Sequence, residues 1–204
     1  MKIITFACGH DDRLKDWLIY HTPMIPGKIV NVWGGSVIPE WILVSKNLLV
    51  TSSGKYLGDG HQITNLSKLV TDEDYIVYAS HDSLIIDEEL ISKSCEYMKE
   101  HGVDVLAPSL SSAKCGENNF ENKMVLTSIT CLVFFSARAF KYLSDNWKKK
   151  YEWRSEEVEF FETPYRAGMM VAQNPFIVPD YFQCRSVDEV RRKGAAIHPH
   201  KEWK

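Results

Sequence analysis

Along this chain, short runs of β-branched and aromatic residues alternate with segments whose apolar positions recur every three or four residues. The compact runs are residues 2–7 (KIITFA), 28–33 (KIVNVW), 48–51, 75–79 (YIVYA), 103–107 (VDVLA), 128–136 (SITCLVFFS) and 169–173, and each reads as a strand. Helical spacing follows at Leu14, Trp17 and Leu18, and again at Ile63, Leu66, Leu69 and Val70. Leu90, Ile91, Cys95 and Met98 form a third apolar stripe, with Asp87 as its cap and Gly102 as its stop. Residues 137–147 and 156–167 are the last two helices, the latter with Ser155 as N-cap and Gly168 as terminator. The polar stretch 109–122 reads as the most mobile loop.

Strands alternating with helices predict an α/β fold with a mostly parallel central sheet flanked by helices. Such sheets bind ligands beyond the carboxyl ends of their strands. That rule singles out residues 8–12, 33–36 and 80–83, and the loop after Ala107.

Composition narrows the class. The 204 residues are 45% hydrophobic and 12% aromatic, which is globular usage and argues against disorder. A net charge of −3 excludes binding to nucleic acid by bulk charge. The five cysteines stand at positions 8, 95, 115, 131 and 184, never as C-x-x-C, and so read as reduced thiols of a cytoplasmic protein. No segment approaches the ~20 apolar residues of a membrane span. No apolar leader is expected either, since the first apolar stretch ends at Asp11 and Asp12.

Three clusters carry candidate chemistry. Ser80-His81-Asp82 closes the 75–79 strand, and a carboxylate there suits a hard divalent cation, with the imidazole of His81 adding Mn²⁺-type ligation. The same residues would equally start an ordinary turn. Ser155-Glu156-Glu157-Val158-Glu159 opens a helix, where acids complement the dipole; one of them facing the crevice would serve as a general base. His198-Pro199-His200-Lys201 offers one metal ligand and a phosphate partner, or else a solvated tail. No G-x-G-x-x-G, P-loop or G-x-S-x-G pattern is present. Trp33, Trp41 and Trp153 read as core or rim aromatics.

The order of these pieces resembles the GT-A-fold glycosyltransferases, closest to the inverting group with a single nucleotide-sugar-binding domain. Val30-Asn31-Val32-Trp33-Gly34-Gly35-Ser36 is similar to that group's second strand and Gly-Ser turn, with Trp33 where its Asp stands. Gly58-Asp59-Gly60 and Asn65 resemble its Gly-rich loop and short helix. The strand ending in Ser80-His81-Asp82 is similar to its D-x-D strand, with Ser80 replacing the first Asp. Residues 129–140 (ITCLVFFSARAF) resemble its strand and R-E-A-F turn, which lines the acceptor side. Glu156-Glu157-Val158-Glu159, followed by Arg166 and Gly168, resembles its helix bearing the catalytic base. The terminal histidine segment resembles one that folds back toward the metal.

The resemblance implies one domain over residues 1–204, with a nucleotide-sugar half (1–108) and an acceptor half plus a C-terminal tail folding over the site (109–204). It implies Glu157 as base with Glu156 beside it, and a Mn²⁺ or Mg²⁺ ion held by Asp82, His81, His198 and His200. It further implies donor contacts from Ala7, Cys8, Gly9, Gly35, Ser36, Ser80 and Lys201, and an acceptor side at Arg166 and Trp153. The donor would be a nucleotide-sugar, a UDP-sugar first. The acceptor is open between a saccharide and a nucleic-acid base, toward which Lys148-Lys149-Lys150 and the stretch Arg185 to Lys193 could turn. A sugar nucleotidyltransferase and a non-catalytic nucleotide-binding module of the same fold are the alternatives.

Overall fold

A computed structural model describes residues 1–9, 14–15, 17–18, 21, 25, 28–32, 49–52, 59–71, 73–83, 85, 89–114, 124–128, 130–147, 156–177, 189 and 192. Its centre is a seven-stranded sheet built from β1 (Ile3–Gly9), β2 (Lys28–Val32), β3 (Leu49–Ser52), β4 (Tyr75–Ser80), β5 (Val105–Ala107), β8 (Leu132–Ser136) and β9 (Val171–Gln173). Across the sheet these strands follow the order β3-β2-β1-β4-β8-β5-β9. All run the same way except β8, which is antiparallel to both of its neighbours. The expected mostly parallel α/β architecture is the observed one.

Alternation along the strands divides the core in two. Ala7, Val77, Ala79, Leu106, Leu132 and Phe134 point to one face and meet Leu14, Trp17, Leu18 and helix α2 (Leu90–His101). Phe6, Cys8, Tyr78, Val105, Val133 and Phe135 point to the other, under helices α1 (Asp59–Leu66), α3 (Ala137–Asn146) and α4 (Glu156–Arg166). Period-2 patterning with both faces covered is why these strands read as near-continuous apolar runs.

Helix ends mostly follow the expected chemistry. Ser136 caps α3 by accepting a hydrogen bond from the Ala139 amide at 3.1 Å. Gly102 ends α2 at φ 65°, a left-handed position where glycine carries no Cβ penalty, and Gly168 turns the chain after α4 at φ 79°. Asp87 and Ser155 lie outside the described residues; Glu89 occupies the N-cap position of α2, without a side-chain cap bond.

Two expectations are corrected. The stretch read as a mobile loop contains β6 (Ser111–Lys114), paired antiparallel with β7 (Met124–Thr127) in the register Ser111↔Thr127 to Lys114↔Met124. Cross-strand pairing and docking on α4 supply order that polar composition hides: Val125 is buried, and the Leu126 amide donates to Glu162 Oε2 at 2.7 Å. Residues 128–136 are likewise not one strand, because Thr127 ends the hairpin and β8 begins at Leu132.

At the amino edge of the sheet, Asp104 ties three elements together. Its carboxylate accepts from Arg138 Nη2 at 2.6 Å, Ser136 Oγ at 2.9 Å and the Met170 amide at 3.2 Å. Burial pushes this carboxyl up, but the hydrogen bonds from Arg138, Ser136 and Met170 and the guanidinium charge outweigh it and hold it below the usual 3.8. A lowered native pKa means that the stabilisation is complete above the unfolded-state value and disappears as pH falls through the native one. Asp104→Asn is therefore expected to cost about 1.5–3 kcal/mol at pH 7. In urea titrations the difference from wild type should shrink below about pH 4. A gap that stays constant with pH would show that the carboxylate charge does not matter.

Candidate functional site

The parallel register sets Cys8 of β1 beside Ser80 of β4, so both strands exit at one edge. From there β4 turns through His81, Asp82 and Ser83. The His81 amide donates to the Cys8 carbonyl at 2.9 Å, and the Ser80 amide to the Cys131 carbonyl at 2.8 Å. The Ser83 amide and hydroxyl both donate to the Ser80 carbonyl, at 3.0 and 2.7 Å. Ser80 Oγ accepts from the Asp82 amide at 3.3 Å. Backbone groups of β1 and of Cys131, just before β8, thus fix the turn, and Ser80 closes it instead of supplying an acid.

Asp82 is the part of this turn that reaches outward, its side chain one-third exposed, whereas that of His81 is 3% exposed. The two meet at 3.4 Å between His81 Nε2 and Asp82 Oδ1. The imidazole lies directly on Gly9: a Cβ at that position would stand 2.5 Å from Nδ1 and 2.8 Å from Cγ. Glycine is required here by space. Gly9→Ala is expected to displace the ring and cost about 1–3 kcal/mol of stability, measurable by denaturant unfolding. Unchanged stability would show that His81 does not rest on Gly9.

The start of α4 shares this edge. Its end leads through Gly168 to Met170, whose carbonyl accepts from the Asp104 and Val105 amides at the beginning of β5. The helix therefore runs against the parallel strands, and the backbone of Glu156 and Glu157 opens it on the carboxyl side. Phe160, one turn further in, stands edge-on to Tyr78 at 5.8 Å, two residues before Ser80. Within α4, Glu159 and Glu162 are buried, the first accepting from Thr163 Oγ1 at 2.5 Å and the second from Arg166 Nε at 2.6 Å.

Other expected residues are placed differently. Ala7 and Cys8 are wholly buried on opposite faces of the sheet, so at this edge they present backbone. Arg166 ends α4, nine residues from Glu157 and so about 13 Å along the helix, paired with Glu162. The Ser136–Phe140 turn lies at the amino edge and not on the acceptor side. Because β8 is antiparallel, its exit falls beside Tyr75, where β4 begins, and Arg138 is engaged with Asp104. Gly35, Ser36, Trp153, His198, His200 and Lys201 lie outside the described residues. Among the described residues no group of three or more His, Cys, Asp and Glu is clustered for a metal, and no helix is long and apolar enough to cross a membrane. Cys8, Cys95 and Cys131 are buried thiols, and burial pushes Cys95 up to about 12, so it is no nucleophile at neutral pH.

The sequence pattern places Trp17 on an amphipathic helical segment and Ser83 in the turn after β4, but does not give the contact between them. Trp17 is buried, yet its indole N–H donates to the Ser83 carbonyl at 2.7 Å. The signal available was a tryptophan, whose N–H needs a partner when buried, on a helix packed beside the β4 exit.

The fold is a Rossmann-like, mixed α/β architecture of the GT-A type, which glycosyltransferases and nucleotidyltransferases share. No protein-family model matches the chain, and no curated protein matches it in sequence. Among solved structures it is similar to the mannosyltransferase PcManGT from Pyrobaculum calidifontis, in complex with GDP-Man and Mn²⁺, with a TM-score of 0.62 and 12% identity over 91% of this chain. This chain spans 57% of that protein's length. It is also similar to 2-C-methyl-D-erythritol 4-phosphate cytidylyltransferase from Thermus thermophilus, with a TM-score of 0.59 and 11% identity over 97% of this chain and 100% of that one. A third similar structure is CMP:2-keto-3-deoxy-manno-octonic acid synthetase complexed with CTP, at 0.58 and 9%, over 98% and 100% of the two chains. At these identities the likeness is one of fold.

Proposed function

We propose that this protein is a glycosyltransferase that moves a sugar from a nucleotide-sugar, a UDP-sugar first, to an acceptor hydroxyl with inversion. The observation that carries the reading is the Asp82 turn. It sets a part-exposed carboxylate on a braced backbone at the joint exit of β1 and β4, with α4 opening on the same edge. Ligands bind beyond the carboxyl ends of such strands.

The residues there fit a divalent metal. Magnesium-like ions bound with a diphosphate take one or two protein carboxylates and complete their shell with phosphate oxygens and water. Asp82 meets that need with His81 Nε2 beside it. When bound, Mn²⁺ or Mg²⁺ would offset the charge developing on a nucleoside-diphosphate leaving group. His198, His200 and Lys201 are proposed to join from the tail.

Glu157, with Glu156 next to it, is assigned as the general base. It takes the proton of the acceptor hydroxyl as that oxygen bonds to the anomeric carbon, and the bond from that carbon to the diphosphate breaks. The backbone edge of Gly9 and Ser80, together with Gly35 and Ser36, would receive the nucleotide, and Trp153 would bound the acceptor side, whereas Arg166 stands at the other end of α4.

A second reading is favoured by coverage. The cytidylyltransferase from Thermus thermophilus and the CTP-bound synthetase are each covered over 100% of their length, whereas the mannosyltransferase is covered over 57%. Nucleotidyl transfer would join a nucleoside triphosphate to a sugar phosphate and release pyrophosphate. One experiment separates the two. The protein is incubated with Mn²⁺ and either a panel of UDP-, GDP- and CMP-sugars with saccharide or duplex DNA acceptors, or CTP and UTP with sugar phosphates. Release of nucleoside diphosphate from a UDP- or GDP-sugar (or of CMP from a CMP-sugar) with a glycosylated acceptor is the expected result; pyrophosphate with a new nucleotide-sugar would replace it by the second reading.

A further inference from the structure

The turn that carries Asp82 is held from the opposite face of the sheet by a chain of buried polar contacts. His21 Nδ1 donates to the Trp17 carbonyl at 2.8 Å, and the two rings stack with centroids 4.4 Å apart at 23°. Trp17 Nε1 donates to the Ser83 carbonyl at 2.7 Å. The Ser83 hydroxyl donates to the Ser80 carbonyl at 2.7 Å, and Ser80 Oγ accepts from the Asp82 amide at 3.3 Å. Trp17, His21, Ser80 and Ser83 are all at most 5% exposed. Packing alone would be met by any large apolar side chain at position 17. The indole N–H is spent instead on the one carbonyl that follows Asp82.

We propose that Trp17 and Ser83 form a positioning clamp that fixes the Asp82 carboxylate for the metal–diphosphate end of a nucleotide donor. The clamp rests on the reading of Asp82 given above. Neither residue touches the ligand; both act through the backbone on either side of the carboxylate. By holding the Ser80 and Ser83 carbonyls that flank Asp82, the clamp sets the orientation of the carboxylate, as outer partners of a metal ligand do, and so the affinity of the site. The clamp also links Trp17 and His21 to the exit of β4.

The test is Mn²⁺ uptake in the presence of UDP, followed by loss of the electron paramagnetic resonance signal of the aqueous ion. Wild type, Trp17→Phe, Ser83→Ala and Asp82→Asn are compared as full-length proteins. Trp17→Phe retains an aromatic ring for His21 to stack on but has no N–H to donate. Ser83→Ala removes only a hydroxyl and serves if the tryptophan variant does not fold. Asp82→Asn is expected to show no uptake at the Mn²⁺ concentration that half-saturates wild type, and each clamp variant to weaken Mn²⁺ affinity about tenfold while its circular dichroism stays that of wild type. A merely structural role would lower thermal stability without moving that affinity. Wild-type affinity in the folded clamp variants, with Asp82→Asn inactive, overturns the clamp and leaves the site standing. A wild type that takes up no Mn²⁺ with UDP, GDP or CDP overturns both.

Discussion

Asp82→Asn is expected to lower sugar transfer by about 10³-fold, and Glu157→Gln by about 10²- to 10⁴-fold, with both proteins folded. The first substitution keeps size and shape and removes one negative charge. The backbone of the turn is held without that charge, through the Cys8, Cys131 and Ser80 carbonyls and the Ser80 and Ser83 hydroxyls, and an amide oxygen can still meet His81 Nε2. What is lost is the anionic oxygen that a divalent cation requires, which an amide oxygen replaces weakly. In Glu157→Gln the backbone that opens α4 is unchanged and only the carboxylate proposed as proton acceptor is gone. The two variants should therefore differ in kind. Asp82→Asn should respond to raised Mn²⁺, whereas Glu157→Gln should not, and its donor affinity should stay near wild type. Steady-state kinetics across a metal titration reads both at once. Wild-type turnover in either variant would remove that residue from the chemistry, and in both would remove the site.

How much of this was visible in the chain itself differs between elements. Strands such as β1 and β4 were legible because parallel strands covered on both faces give unbroken apolar runs, and residues 75–79 match β4 to within one residue. The hairpin β6–β7 was not, because Ser111-Ser112-Ala113-Lys114 is neither apolar nor alternating. Its order comes from a partner strand and from Glu162, contacts that local pattern does not encode. The Asp82 turn was recognised from residue type and position, whereas its bracing was not, since Trp17 and Ser83 are 66 residues apart. The turn at Ser136 was assigned to the wrong edge for a topological reason. Whether a strand runs with or against its neighbours is decided by long-range pairing, and β8 reverses direction.

Phe160→Ala is expected to produce the largest loss of stability of any single substitution considered. The side chain is fully buried and ringed by aromatics: Tyr78 at 5.8 Å, Phe135 at 5.8 Å, Trp147 at 5.9 Å and Phe161 at 6.3 Å, each edge to face. Truncation removes the transfer free energy of the ring and leaves a cavity that these rigid neighbours cannot close, at a cost of about 3–5 kcal/mol. Collapse is further opposed by Trp147, which is already wedged against Gly60; a Cβ there would fall 1.6 Å from its ring. For a chain of this length the midpoint of thermal unfolding should fall by roughly 6–20 °C, and the urea slope should stay that of wild type because the surface exposed on unfolding is nearly the same. Phe160 also joins β4 to the first turns of α4, so whatever of the variant remains folded should lose transfer beyond its loss of stability. Phe160→Leu refills most of the volume and should recover the greater part of both. A midpoint within about 2 °C of wild type for Phe160→Ala would mean that α4 does not pack on β4 through this ring, and the common edge shared by Asp82 and Glu157 would lose its support.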